Sequence, residues 1–146
     1  MSLLNLDKLR AAKVETEPYQ YVVVPGFLSP DVVTAINKTY PKIEKGGSYP
    51  VESLDQTMMI KSVIAELDDK PFEDLIAEKF SVELANRPKM YSLRGYTRAK
   101  DGSIHTDSKD KIITVLVYLN ENWQQPGGRL RILRDGQNVD NFAAEV

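Results

Sequence analysis

His105 is the only histidine in the 146-residue chain, and Asp107 stands two residues beyond it. In an extended segment alternate side chains share a face, so the imidazole and the carboxylate can address one point. They are two of the three protein ligands of the 2-His-1-carboxylate set. That set holds Fe(II) and leaves positions open for co-substrate and oxygen. Imidazole suits iron, and a single carboxylate offsets charge without saturating the metal. The same two residues also read as an ordinary hydrogen-bonded His–Asp pair. A lone imidazole excludes the His-x-x-x-His chemistry of zinc proteases.

Three further groups stand near that pair in sequence. In residues 112–119, Thr114, Leu116 and Tyr118 fall on one face, and Ile113, Val115, Val117 and Leu119 on the other. The first face is mixed and suits a pocket wall with a phenol at its end; the second is aliphatic and belongs against another layer. A buried Tyr118 hydroxyl needs a partner, which a bound carboxylate would supply; a core tyrosine reaching solvent is the alternative. Arg94 shares a strand face with Ser92 and Tyr96. Turned inward, its guanidinium needs an anion, either a ligand carboxylate or an internal Asp or Glu. Arg129 and Arg131 flank Leu130 and read as a solvated sheet face. Trp123 reads as a loop anchor, and Gly127-Gly128 as a tight turn or close backbone approach.

The elements that must position these residues run helices first and strands second. Residues 2–13 form a helix candidate through Leu3, Leu6 and Leu9. Residues 19–24 are a β-rich run that stops at Pro25-Gly26. Ser29-Pro30-Asp31 is a helix start, with a capping hydroxyl, a proline at the first turn and an acid at the positive end of the dipole. Val32, Val33, Ile36 and Tyr40 then share a face, and Pro41 ends the helix. Residues 44–57 read as a polar loop around Gly46-Gly47. Two more helical stripes follow, Ile60, Val63, Ile64 and Leu67, then Phe72, Leu75, Ile76 and Phe80. Strands are predicted over 89–97, 112–119 and 130–133, with a turn at Ala99-Lys100-Asp101-Gly102 and a hairpin-type turn at Asp135-Gly136. Another strand approaches over 139–146. This order is α+β, with helices packed outside a sheet.

Composition narrows the classes. The length and a 42% hydrophobic content suit one domain with a real core. A net charge of -2 argues against a dedicated nucleic-acid binder. No apolar run approaches the roughly 20 residues of a membrane helix. The N-terminus carries Asp7 and lacks the apolar core of a secretory signal. The absence of cysteine rules out disulfides, thiolate zinc sites and cysteine nucleophiles, and a cytoplasmic home is the default expectation.

Arg94-Gly95-Tyr96, His105-Thr106-Asp107, the run 113–120 ending Tyr118-Leu119-Asn120, Trp123, and Gly127-Gly128-Arg129-Leu130-Arg131-Ile132 occur in an order and spacing that resembles the 2-oxoglutarate- and Fe(II)-dependent dioxygenases, within them the prolyl-hydroxylase-like branch. The resemblance covers residues 88–146 well and the N-terminal helices only in general. It implies a double-stranded β-helix, a jelly-roll with buttressing helices: residues 1–86 would be the helical support region with one early strand, and 87–146 the first part of the core. It implies His105 and Asp107 as iron ligands and places Tyr96 and Tyr118 near 2-oxoglutarate, with Arg94, Thr114 and Leu116 as further candidates on that side. The implied reaction decarboxylates 2-oxoglutarate to succinate and CO₂ and hydroxylates an unactivated C–H bond of a small-molecule or peptidyl substrate, using O₂. The family pattern continues with a second iron-binding His and, about ten residues later, an Arg or Lys for the far carboxylate. This sequence contains neither, so the chain is expected to carry only part of an active site, and a half-barrel is expected to associate with itself through exposed sheet edges. The alternative is a catalytically inactive interaction or ligand-binding module on the same scaffold.

Overall fold

The computed structural model describes residues 2–54 and 57–146. Four helices carry the first half: α1 Leu6–Ala11, α2 Pro30–Lys38, α3 Met58–Asp68 and α4 Lys70–Phe80. Their starts follow local chemistry. The Asn5 side chain accepts from Lys8 N–H, Ser29 Oγ from Val32 N–H at 3.3 Å, and Asp69 from Lys70 N–H at 2.9 Å. Proline occupies the first turn of both α2 and α4. Helix α2 ends at Lys38 with Thr39 as its cap, two residues ahead of Pro41. That is where the restriction on residues preceding proline ends it. Helix α4 ends where Ser81 turns left-handed at φ 53°.

The apolar stripes of these helices meet in one cluster. Leu4, Leu9, Leu28, Ile36, Val51, Ile60, Val63, Phe72, Leu75, Ile76 and Leu93 are all buried in it. The N-terminal segment is held over it by Glu66, whose carboxylate accepts from the backbone N–H of Leu3 and Leu4 and from the Ser2 hydroxyl. Burial works to raise the Glu66 pKa, but those donors outweigh it and the carboxyl titrates below its ordinary value.

The strands are fewer and shorter than alternation predicts. β1 Ser48–Pro50 pairs antiparallel with β2 Ser92–Arg94, Tyr49 opposite Leu93. β3 Arg131–Leu133 pairs antiparallel with β4 Phe142–Glu145, with an irregularity between Ile132 and Leu133. These are two separate two-stranded sheets, and no closed barrel forms among the described residues. Of the 89–97 strand only Ser92–Arg94 forms a ladder, with the Tyr91 carbonyl accepting from Val51 N–H and Gly95 N–H donating to the Gly47 carbonyl at its two ends. The 19–24 run contributes a single bridge, Glu15 to Tyr21. The loop expected at 44–57 instead supplies β1 and a short 3₁₀ turn, Val51–Ser53; residues 55 and 56 of it lie outside the described residues. β1 forms because Gly95 comes so close to Lys45 that an added Cβ would sit 2.2 Å from the Lys45 carbonyl oxygen. A glycine is required for that approach.

Residues 112–119 belong to no sheet, and Ile112 lies in a bend. Ile113, Val117 and Leu119 pack against the core cluster, as the aliphatic face requires, while Val115 of the same face is exposed. Beyond Leu93 only Ile132 is buried. The core is therefore a property of the first half, and the second half is draped over one side of it.

Candidate functional site

The turn before the site is rigid. Ala99–Gly102 is a 3₁₀ turn locked by Arg98, whose backbone N–H and guanidinium both bond Asp101, the latter at 3.0 Å. The Arg98 guanidinium beside it pulls the Asp101 carboxyl down to about 2. The chain leaves this turn through Ser103 in extended conformation.

His105 and Asp107 follow, both exposed, and they do not bond one another. The His105 Nδ1 lies 2.8 Å from the Ser103 carbonyl oxygen. A carbonyl only accepts, so in the neutral ring Nδ1 carries the proton and Nε2 the lone pair. That is the tautomer a metal-binding histidine needs, oriented by a backbone carbonyl. Asp107 Oδ2 accepts from the Thr114 hydroxyl at 2.5 Å, and Lys111 Nζ stands 3.8 Å from Oδ1. Each donor is thus oriented by a neighbour other than its candidate co-ligand, and the ordinary His–Asp contact is not what this backbone makes.

Thr114 was expected on a pocket wall; it reaches Asp107 instead, across seven residues. Tyr118 lies within electrostatic reach of Arg94. Burial pushes the Tyr118 phenol up, and the Arg94 guanidinium pulls against it. Arg94 also acts, as the smallest contributor, on the Asp101 carboxylate. The Arg94 carbonyl accepts from Tyr40 Oη at 3.0 Å, which ties β2 to the residue just beyond α2. Tyr96 is not part of this group: it is exposed and its phenol acts on Arg98. Leu116 is half exposed.

Tyr19 is the residue that sequence reasoning missed. Its ring packs edge-on against Tyr21, centroids 6.0 Å apart. Burial first, and the Asp107 carboxylate second, raise its pKa and keep the phenol protonated. Tyr19 lies 88 residues before Asp107, and no local pattern announces their coupling.

The two donors fit ferrous iron in kind. They fall short in number, since no group of three or more His, Cys, Asp or Glu able to hold a metal forms among the described residues. A cleft of about 870 Å³ between Lys8, Tyr21, Val24, Arg134 and Ala144 contains none of the candidate site residues. Arg131, expected on a solvated face, is engaged there by Glu145 at 2.6 Å, by Asp140, and by the Phe142 ring 4.6 Å from its guanidinium. Trp123 is the anchor its position suggested: its indole N–H donates to the Gly127 carbonyl at 2.8 Å, and an added Cβ on Gly128 (φ 85°) would meet its ring at 2.7 Å.

No helix among the described residues is long and apolar enough to cross a membrane. Compared with known proteins, the chain matches no family model, no curated protein and no solved structure.

Proposed function

We propose that this chain carries the His-x-Asp half of the active site of an Fe(II)- and 2-oxoglutarate-dependent dioxygenase acting on a small molecule or a peptidyl group in the cytoplasm. The observation that carries the reading is the orientation of both donors: Nδ1 of His105 is spent on Ser103, and Oδ2 of Asp107 is held by Thr114. His105 Nε2 and Asp107 Oδ1 are the atoms that would hold the metal. Bound iron would supply activation of O₂ for hydroxylation of a C–H bond coupled to decarboxylation of 2-oxoglutarate. The chain's own groups do the rest. Arg94, whose charge reaches the Tyr118 phenol, is the cation that receives a carboxylate of the co-substrate. Tyr19, whose phenol is kept protonated by burial and by the Asp107 carboxylate, adds a neutral hydroxyl within electrostatic reach of that carboxylate. With one protein ligand of three missing, Fe(II) affinity is expected to be weak.

Succinate release from 2-oxoglutarate in the presence of Fe(II) tests the reading. Wild type is expected to exceed His105→Ala and Asp107→Ala, and equal release by all three contradicts it. The count of two donors favours a second reading, a non-catalytic module on the same scaffold. No saturable Fe(II) binding by calorimetric titration, and no succinate from wild type, selects that one.

A further inference from the structure

Residues 112–119 are eight residues outside any helix or strand, with a bend at Ile112, and seven of them are apolar or aromatic. Among the described residues, no backbone group of 112–118 bonds another backbone group; Leu119 is tied only through its carbonyl, which accepts from Asn37 Nδ2 at 2.6 Å. A run of unpaired N–H and C=O groups flanked by apolar side chains is a template for another strand. The segment is also held in place for pairing, because Ile113, Val117 and Leu119 are seated on the core. Ile112, Val115, Leu116 and Tyr118 remain exposed.

The surface area says how much is left to cover. The chain exposes 10589 Å², where a compact monomer of 16.5 kDa exposes roughly 7,500 Å². The surplus of about 3,000 Å² is several times the roughly 800 Å² that each partner contributes to a standard interface.

We propose that residues 112–119 are a dimerisation strand, pairing antiparallel with the same segment of a second copy about a two-fold axis at Leu116. The flanking charges select this register. With Leu116 opposite itself, Val115 faces Val117, Thr114 faces Tyr118, Ile113 faces Leu119, and Lys111 faces Glu121 of the partner. Glu121 makes no ion pair within its own chain among the described residues, and Lys111 holds only a 3.8 Å contact with Asp107. A slip of one residue would set Asp110 against Glu121 and turn each aliphatic side chain to the wrong face. A slip of two in the same direction would set Lys111 against Leu119 and would need Lys109, which lies in a turn, to enter the strand. A two-fold axis makes the contact self-complementary and closed. This inference is independent of the iron reading.

The test uses charge at the axis. Leu116 is exposed, so Leu116→Lys and Leu116→Glu are expected to fold with unchanged helical circular dichroism. Each would place two like charges directly opposite one another in the dimer. By sedimentation equilibrium, wild type is expected to be a dimer at micromolar concentration and each variant a monomer, while an equimolar mixture of the two variants reassociates as a heterodimer. In this cysteine-free chain, Leu116→Cys is expected to cross-link to its own copy. Opposed Cα atoms in an antiparallel pair lie about 4.5–5.5 Å apart, within the roughly 4.4–6.8 Å that a disulfide spans. Met90→Cys, on an exposed residue away from the strand, is expected to stay uncross-linked. A monomeric wild type, a dimer that survives Leu116→Lys, a variant mixture that does not reassociate, or association only with another protein's strand overturns the proposal.

Discussion

Replacing Thr114 with valine removes one hydroxyl and keeps the side chain's shape. The lost bond is the 2.5 Å donation to Asp107 Oδ2. A hydrogen bond to a charged group contributes about 1.5–3 kcal/mol net. The Asp107 side chain is 43% exposed, and solvent screening places this one at the low end, about 1.5 kcal/mol. If the bond orients the carboxylate toward a cation, its loss weakens divalent-metal binding by about tenfold, the lower edge of what partners of metal ligands deliver. Titration with Mn(II), a redox-inert surrogate for Fe(II), followed by the loss of the free-ion electron paramagnetic resonance signal, measures it. Thr114→Ser keeps the hydroxyl and is expected to bind within about twofold of wild type. Wild-type affinity in Thr114→Val, or equal weakening in the valine and serine variants, refutes the reasoning.

Ile36 is 1% exposed at the centre of the helical core, so Ile36→Ala is expected to lower unfolding stability by about 2–5 kcal/mol in urea denaturation; a loss under half a kilocalorie would show that the core lies elsewhere. Gly128→Ala forces a Cβ against the only tryptophan at a φ of 85°, so a loss of about 1–2 kcal/mol and a shifted Trp123 emission maximum are expected; unchanged emission contradicts the contact. Asp101 is depressed from 3.8 to about 2 in the folded chain. Its contribution is therefore complete above the unfolded value and lost as pH falls from near 4 to near 2. The Arg98 amide resonance is expected to titrate in that window and Asp101→Asn to abolish the transition; a midpoint at the ordinary carboxylate value contradicts it.

The helices were legible because their signals are local. Ser29-Pro30 and Asp69-Lys70-Pro71 begin helices through bonds spanning one to three residues, and the stripes of Ile36, Ile60, Val63, Leu75 and Ile76 became the core. Alternation in 112–119 told which side chains face the core, Val115 apart, but not whether a strand lies alongside, because that partner is not encoded in the segment. β1 was missed for the same reason: Ser48–Pro50 reads as a loop until Ser92–Arg94 and the Gly95 approach supply its partner. In the candidate site, residue types marked His105 and Asp107, and their own tethers lie within seven residues. The electrostatic coupling of Tyr19 to Asp107 and of Tyr118 to Arg94 is made by the fold and left no sequence signal.

The central claim is that one imidazole and one carboxylate take a metal together. Electron spin-echo envelope modulation of the Mn(II)-loaded chain reads it directly, since the sequence offers a single histidine. Coupling to one imidazole nitrogen is expected, changing on ¹⁵N-histidine labelling, absent in His105→Ala, and with affinity lowered in Asp107→Ala. Saturating Mn(II) with no nitrogen coupling, or identical affinity with and without Asp107, contradicts the account.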